Sequence, residues 1–426
     1  MKVEESQAGL IRAIGRWGLT AVVMNSVIGS GIFGMPSAVA GKVGAWSPLA
    51  VVVAGGCIFV VVLCFAEVGS RFQEAGGPYL YVREAVGPAV GFQIGWLQIW
   101  TRLLSCAATL NVLIAYLGPL VPGVRGAAGR AAAMTGGMLV VTAVNVIGVR
   151  QASWTVNGFT VAKLAPLLLV ALLGVFHLRP ETLATQSVAE PNWTEAILLL
   201  VFSYGGFESA VVAASETRNP RRDTAFALIV AMAGITAIYA LVQLAVVGVL
   251  PNAARSTAPV AAALGELLGP IGLTIGSLAV VISVYGWLTG FALMTPRILF
   301  SMAERSELPA FLARIHPRFR TPHLAIVANS TAALGLGLYS SFTQAATLAA
   351  VTRLSVYGLT CASLILLRRH PDRPAGFLLP GGRAIAVLGI AFSAWLISTR
   401  TFTQTWLLIA MIGSGFLLWL IGRRRG

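Results

Sequence analysis

The sequence predicts an all-α integral membrane protein of twelve transmembrane helices, and three observations lead there. The 426-residue chain is 57% hydrophobic and only 11% charged, whereas a soluble domain carries about 25% charged residues. Its mean hydropathy is +0.82. The apolar residues fall into runs of roughly 20, the length that crosses a hydrocarbon core about 30 Å thick.

Taken in order, the runs lie near 18–40, 46–70, 91–118, 127–148, 153–176, 193–215, 224–249, 267–300, 322–340, 343–367, 384–400 and 403–422. The eighth is long, and the tenth follows the ninth after a very short turn. The whole chain, 1–426, reads as one transmembrane domain. Loop charge orients it: with the N-terminus cytoplasmic, the inner segments hold 21 Lys and Arg residues and the outer ones six (Lys42, Arg125, Arg130, Arg179, Arg255 and Arg400). Cytoplasmic loops carry the positive excess, so both termini are placed on the cytoplasmic side of the cell membrane, and the ratio of 27 Arg to 3 Lys points to a bacterial source.

Composition excludes other classes. The net charge is +15, but the basic residues are scattered between apolar runs, with no basic patch interleaved with aromatics, so no nucleic-acid partner is expected. Cys57, Cys64, Cys106 and Cys361 all sit in apolar runs, which argues against disulfides. The polar, amphipathic N-terminus lacks a signal-peptide core. His177, His316, His323 and His370 fall at helix ends or in loops without ligand spacing, so no metal or cofactor is expected and an enzyme is disfavoured. No GxxxxGK[ST] loop is present, and no nucleotide partner is expected.

The first run contains its own interruption. In VVMNSVIGSGIFGMPSAVA (22–40), Gly29, Ser30, Gly31 and Gly34 crowd together and Pro36 follows. Each interior glycine costs about 1 kcal/mol relative to alanine. A break at membrane depth exposes backbone groups, and it survives only where it lines an enclosed or watery cavity. The bland alternative is that these glycines let helices pack closely.

The sixth run repeats the device. LLLVFSYGGFESAVVAAS (198–215) has Gly205 and Gly206 at its centre and Glu208 just beyond. Gly31 and Gly206 are 175 residues apart, the size of a five-helix unit, giving repeats over 18–176 and 193–367 with 384–422 appended. Paired interrupted segments in two halves point to a transporter's central site. The half-helix N-termini offer free N–H groups to a carboxylate. The C-terminal ends before each break offer carbonyls to an ammonium.

Mid-span charges are the next clue. Lys163 lies about nine residues into the fifth run, roughly 14 Å along a helix, and an ionisable group at that depth is a functional candidate. It either exchanges a proton or stays paired with carbonyls or with Glu208. Arg102 and Arg353 read as hydrogen-bonding hubs between helices. Glu208 is the only carboxylate near a membrane centre, since Asp223 and Asp372 lie in loops. It is either a proton site or a cap on freed backbone groups.

Five segments in this order resemble one family: VIGSGIFGMP (27–36), FAEVGSRFQEAGGPYLYVREAVGP (65–88), SYGGFESAVVAASETRNPRR (203–222), PRILFSMAERSELPAFLARIHPRFRTPHLAI (296–326) and RLSVYGLTCASLILLRR (353–369). The chain resembles permeases of the amino acid–polyamine–organocation superfamily, with the leucine-transporter-like fold. That resemblance implies two inverted five-helix repeats (helices 1–5 and 6–10) with helices 1 and 6 broken. It implies that Ser30, Gly31 and Ile32 cradle a substrate carboxylate, while carbonyls at Val27, Ile28, Phe202 and Ser203 hold its amino group. Phe202 would be a lid and Phe291 a pocket wall, and Gly29, Tyr204 and Gly205 complete the expected substrate set. Lys163 would stand where sodium-coupled relatives hold an ion, implying sodium-independent transport by proton symport or exchange. Gln73, and Asp223 with Thr224, depart from the family's usual residues in cytoplasmic loops.

The expected function is transport of amino acids, with a lean to neutral L-amino acids; the alternatives are cationic amino acids or polyamines, a sensor on a transporter fold, or a membrane enzyme. Partners are then the small-molecule substrate, the lipid bilayer and protons. Two cytoplasmic ion-pair clusters are also expected: Glu67, Arg71, Glu74, Arg83 and Glu84, and Glu216 with Arg218, Arg221 and Arg222.

Overall fold

A computed structural model describes residues 15–72, 76–148, 153–208, 217, 219–305, 307–369 and 373–423. Among them the elements that build the fold are all helices, joined by short loops. The helices are α1 (Arg16–Val27), α2 (Ser30–Val43), α3 (Ser47–Ser70), α4 (Gly77–Val86), α5 (Pro88–Leu117), α6 (Ala127–Ile147), α7 (Ser153–Phe176) and α8 (Pro180–Thr185). They continue as α9 (Trp193–Ser203), α10 (Pro220–Val249), α11 (Pro259–Glu304), α12 (His323–Tyr339), α13 (Phe342–Leu367), α14 (Gly382–Ser398) and α15 (Phe402–Arg423).

A helix overlaps each of the twelve apolar runs. By length and composition, seven helical stretches among the described residues are long and apolar enough to cross a membrane: Ser30–Ser70, Pro88–Leu117, Ala127–Ile147, Arg222–Val249, Pro259–Glu304, Phe342–Leu367 and Phe402–Gly422. Four shorter apolar helices accompany them, within α7, α9, α12 and α14. Two features were not read from the sequence. The helix α4, of mixed polarity, sits between the second and third runs, and α11 begins eight residues before the eighth run. A bend at Gly269, where φ is +70°, divides α11; that left-handed conformation suits glycine.

The outer helices show what the protein faces. Ile271, Leu139, Leu417 and Phe402 are 62–78% exposed, an apolar surface too large to leave in water. Inside, α3 packs on α10 and α13 on α5, while α2 lies along α9. A buried layer of Phe65, Phe207 and Tyr357 joins α3 and α13 beneath the second break, with ring centroids 5.1–5.6 Å apart.

The first expected ion-pair cluster keeps its Glu67–Arg71 pair and draws its other partners from far along the chain. Glu67 accepts from Arg71 (2.8 Å), from Arg368 Nε beyond the end of α13 (2.9 Å) and from the Leu379 N–H (3.0 Å). Glu84 pairs with Arg373 at 2.9 Å, and Arg83 donates to the Tyr79 hydroxyl at 2.6 Å. The chain therefore joins α3 to the α13–α14 loop, a partner some 300 residues away that local spacing does not reveal. Gln73, Glu74, Glu216, Arg218, His370 and Asp372 lie outside the described residues.

Candidate binding site at two helix breaks

The first break falls between α1 and α2. Ile28 is extended (φ −70°, ψ 91°), and Gly29 (φ −130°, ψ −153°) precedes the first turn of α2. Gly31, Gly34 and Pro36 lie inside α2, so most of the glycine crowding does not itself break the helix. It serves close approach instead. A Cβ on Gly31 would stand 2.7 Å from Ser203 Cα, and one on Gly34 would run into the Phe342 ring. Both the broken-helix and the close-packing readings of this stretch therefore hold, at different residues.

The second break follows α9, which ends at Ser203. Gly206 has φ +116°, a backbone conformation natural only to glycine. A side chain there would strike the Ser26 carbonyl, and one on Gly205 would strike the Arg353 guanidinium. Glu208 caps the turn: its Oε2 accepts from the Gly206 N–H at 2.7 Å, and its Oε1 accepts from the Tyr357 hydroxyl at 2.6 Å and faces Arg353 Nε at 3.4 Å.

The two breaks are tied together by a residue that the sequence did not single out. The Tyr239 hydroxyl of α10 lies 3.2 Å from the Val27 carbonyl and 3.3 Å from the Ser203 carbonyl. It has one proton to donate, so it serves one freed carbonyl at a time. On the other side, Ser30 Oγ and Thr109 Oγ1 of α5 are 2.7 Å apart.

A cavity of about 390 Å³ opens at this junction. Val27, Gly29, Ser30 and Gly31 line it from the first break, and Phe202, Ser203, Gly205 and Glu208 from the second, with Phe291 and Lys163 opposite. The side chains of Ile28, Ile32 and Tyr204 do not: all three are buried in the core, and the Tyr204 hydroxyl donates to the Val51 carbonyl at 2.8 Å. Ser203 Oγ, at the cavity wall, is buried and has no hydrogen-bond partner among the described residues.

Lys163 Nζ donates to both the backbone carbonyl and Oδ1 of Asn25, each at 3.2 Å. Its partner is thus the last turn of α1 and not Glu208. Arg353 donates from Nη1 to the Phe202 carbonyl at 3.1 Å, bridging α13 and α9 as a hub. Arg102 lines the cavity beside it. Beyond the breaks, Phe202 meets Phe342 edge to face at 6.1 Å. Gly34 packs under that ring, and the cavity extends toward Asn25, Gln98 and Met294.

Residues 14–421 match the amino acid permease family. The chain belongs to that family. Its helices and its family together make the permease a multi-pass membrane protein. It is 28% identical over 423 residues to a serine/threonine exchanger of Bacillus subtilis, covering 93% of each chain. It is 25% identical over 453 residues to a methylthioribose transporter of the same organism, covering 100% of this chain and 96% of the relative. It is also 29% identical over 399 residues to the large neutral amino acids transporter small subunit 2 of Rattus norvegicus, covering 87% and 72%.

Proposed function

We propose that this permease is a sodium-independent secondary transporter that binds an amino acid zwitterion between its two helix breaks. The observation that carries the reading is the 390 Å³ cavity on which both breaks converge. Ser30 and Gly31 begin α2, so their N–H groups and the positive end of the helix dipole suit a carboxylate. The carbonyls ending α1 and α9 suit the ammonium, and Ser203 Oγ is a free hydrogen-bonding group beside them.

The helices cross a cytoplasmic membrane twelve times, with both termini inside, as two inverted five-helix repeats followed by α14 and α15. In this arrangement the contact between Phe202 and Phe342 closes the outer side, and the cavity faces inward. Transport alternates access by moving the bundle that carries the broken helices. Lys163 holds the last turn of α1 as an ion would, either exchanging a proton or serving as a fixed charge. Both Glu208 oxygens are engaged, which favours the cap over the proton site. Arg102, Lys163 and Arg353 around one carboxylate disfavour cationic amino acids and polyamines, and two of the relatives are named for neutral amino acids.

Radiolabelled uptake into proteoliposomes tests this, with an amino-acid panel and an imposed proton gradient, a sodium gradient or trapped unlabelled amino acid. Proton-driven uptake lost in Lys163→Ala makes Lys163 the coupling group, and uptake needing only internal amino acid makes it a fixed ion substitute. Dependence on sodium overturns the reading of Lys163, and uptake of no amino acid overturns the site.

A further inference from the structure

The charges around the cavity do not balance. Three cations and one carboxylate line it, and two of the cations are engaged. Arg353 faces Glu208 and donates to Phe202, and Lys163 donates to Asn25. Arg102 has no such partner: among the described residues it makes no hydrogen bond and no ion pair. It feels the attraction of Glu208 and the repulsion of Arg353. The hydroxyls beside it on α5 do not compensate, since Thr101 donates to the Leu97 carbonyl, Ser105 to that of Thr101 and Thr109 to that of Ser105.

Arginine stays charged and presents five N–H donors in a planar fork that matches a carboxylate. At membrane depth such a group is costly and is retained for a partner or a pathway. Its position says what that partner is. Thr109, which touches Ser30 at the first break, is seven residues further along α5, about 10 Å along the helix axis. A ligand whose α-carboxylate sits at Ser30 and Gly31 can therefore direct its side chain into the part of the cavity that Arg102 faces.

We infer that Arg102 receives a second carboxylate, so that the preferred substrates are amino acids with a short acidic side chain. This rests on the reading of the breaks as the zwitterion site and narrows it beyond the neutral class. A zwitterion leaves the excess positive charge of the cavity untouched, whereas an anionic side chain reduces it and fills the free fork. A cationic side chain is repelled.

The test uses near-isosteric pairs, because they differ in charge and hardly in shape. Proteoliposomes of the full chain are assayed for uptake of L-glutamate against L-glutamine and L-aspartate against L-asparagine, with L-serine, L-leucine and L-lysine alongside. Each acid is expected to exceed its amide by at least about 10-fold in uptake efficiency, the scale of a hydrogen bond between charged groups. Arg102→Gln should collapse that acid-to-amide ratio toward one, and Arg102→Lys should restore part of it. If Arg102→Gln does not fold, the wild-type acid-to-amide ratio in uptake and in thermal stabilisation still decides. Equal or better handling of the amides overturns the inference and leaves the zwitterion site standing. Failure of every amino acid overturns the site and the inference together.

Discussion

A close approach between the two broken helices gives the sharpest prediction. In Gly31→Ala the new methyl carbon would stand 2.7 Å from Ser203 Cα, 2.9 Å from its Oγ and 3.1 Å from its Cβ. Two of those atoms could move only with the α9 backbone, so rotating the side chain gives no relief. The helices must part just where Tyr239 spans the carbonyls of Val27 and Ser203. Overpacking of this kind costs about 1–3 kcal/mol, or roughly 5- to 150-fold in an equilibrium. Gly34→Ala meets a ring tip on Phe342, which can swing, so its effect should be smaller. Gly290→Ala, also on the cavity wall, meets nothing within 4 Å and is the control. The assay is uptake efficiency in proteoliposomes together with melting temperature in detergent. Of the three, Gly31 should be the most sensitive, with uptake reduced at least about 5-fold and a lowered melting temperature. Wild-type uptake and melting in Gly31→Ala would refute the packing of α2 on α9.

Other perturbations follow from single contacts. Tyr239→Phe removes the donor shared by the Val27 and Ser203 carbonyls, and a buried polar group left without its partner costs about 1–3 kcal/mol; detergent melting should fall accordingly, and an unchanged curve would contradict the bridge. Glu67→Ala strands Arg71 and Arg368 at the C-terminal end of α3, a loss of about 3–5 kcal/mol that should appear as low yield and early melting, with Glu67→Gln milder. Glu307, in the loop after α11, accepts from Tyr79 at 3.4 Å. Burial raises its carboxyl above the ordinary 4.5, against the opposing pull of Arg305 and Arg83. The folded state then binds that proton more tightly than the unfolded one. The contribution is therefore fully present below 4.5 and declines as pH rises through the raised value. The melting advantage of Glu307→Gln over wild type should grow across that window, and parallel curves would exclude the effect.

What the sequence revealed depended on whether the relevant spacing was local. Both breaks were visible as glycine clusters interrupting apolar runs, and the depth of Lys163 followed from counting residues along its helix. The location of the break within the first cluster was not visible. Gly31 and Gly34 are small because Ser203 and Phe342 press on them, and those neighbours come from α9 and α13. Asn25 could not be assigned to Lys163, since the two are 138 residues apart in the chain. Arg102 and Arg353 stood out as mid-span cations, but their facing into the cavity depends on how α5 and α13 are rotated. Tyr239 gave no signal, because a tyrosine in an apolar run is an ordinary core residue until its hydroxyl lands on two carbonyls. The helix α4 was missed because ten residues (Gly77–Val86) of mixed polarity between two spans look like a loop.

The central claim is that an amino acid sits where the two breaks meet. A cryo-electron microscopy structure of the permease with its best-transported amino acid tests it most directly. The account predicts the substrate carboxylate on the N–H groups at Ser30 and Gly31 and its ammonium among the carbonyls of Val27, Phe202 and Ser203. Density for the amino acid away from both breaks, such as between Lys42 and Gln404 in the separate pocket at the far end of α2, would contradict it.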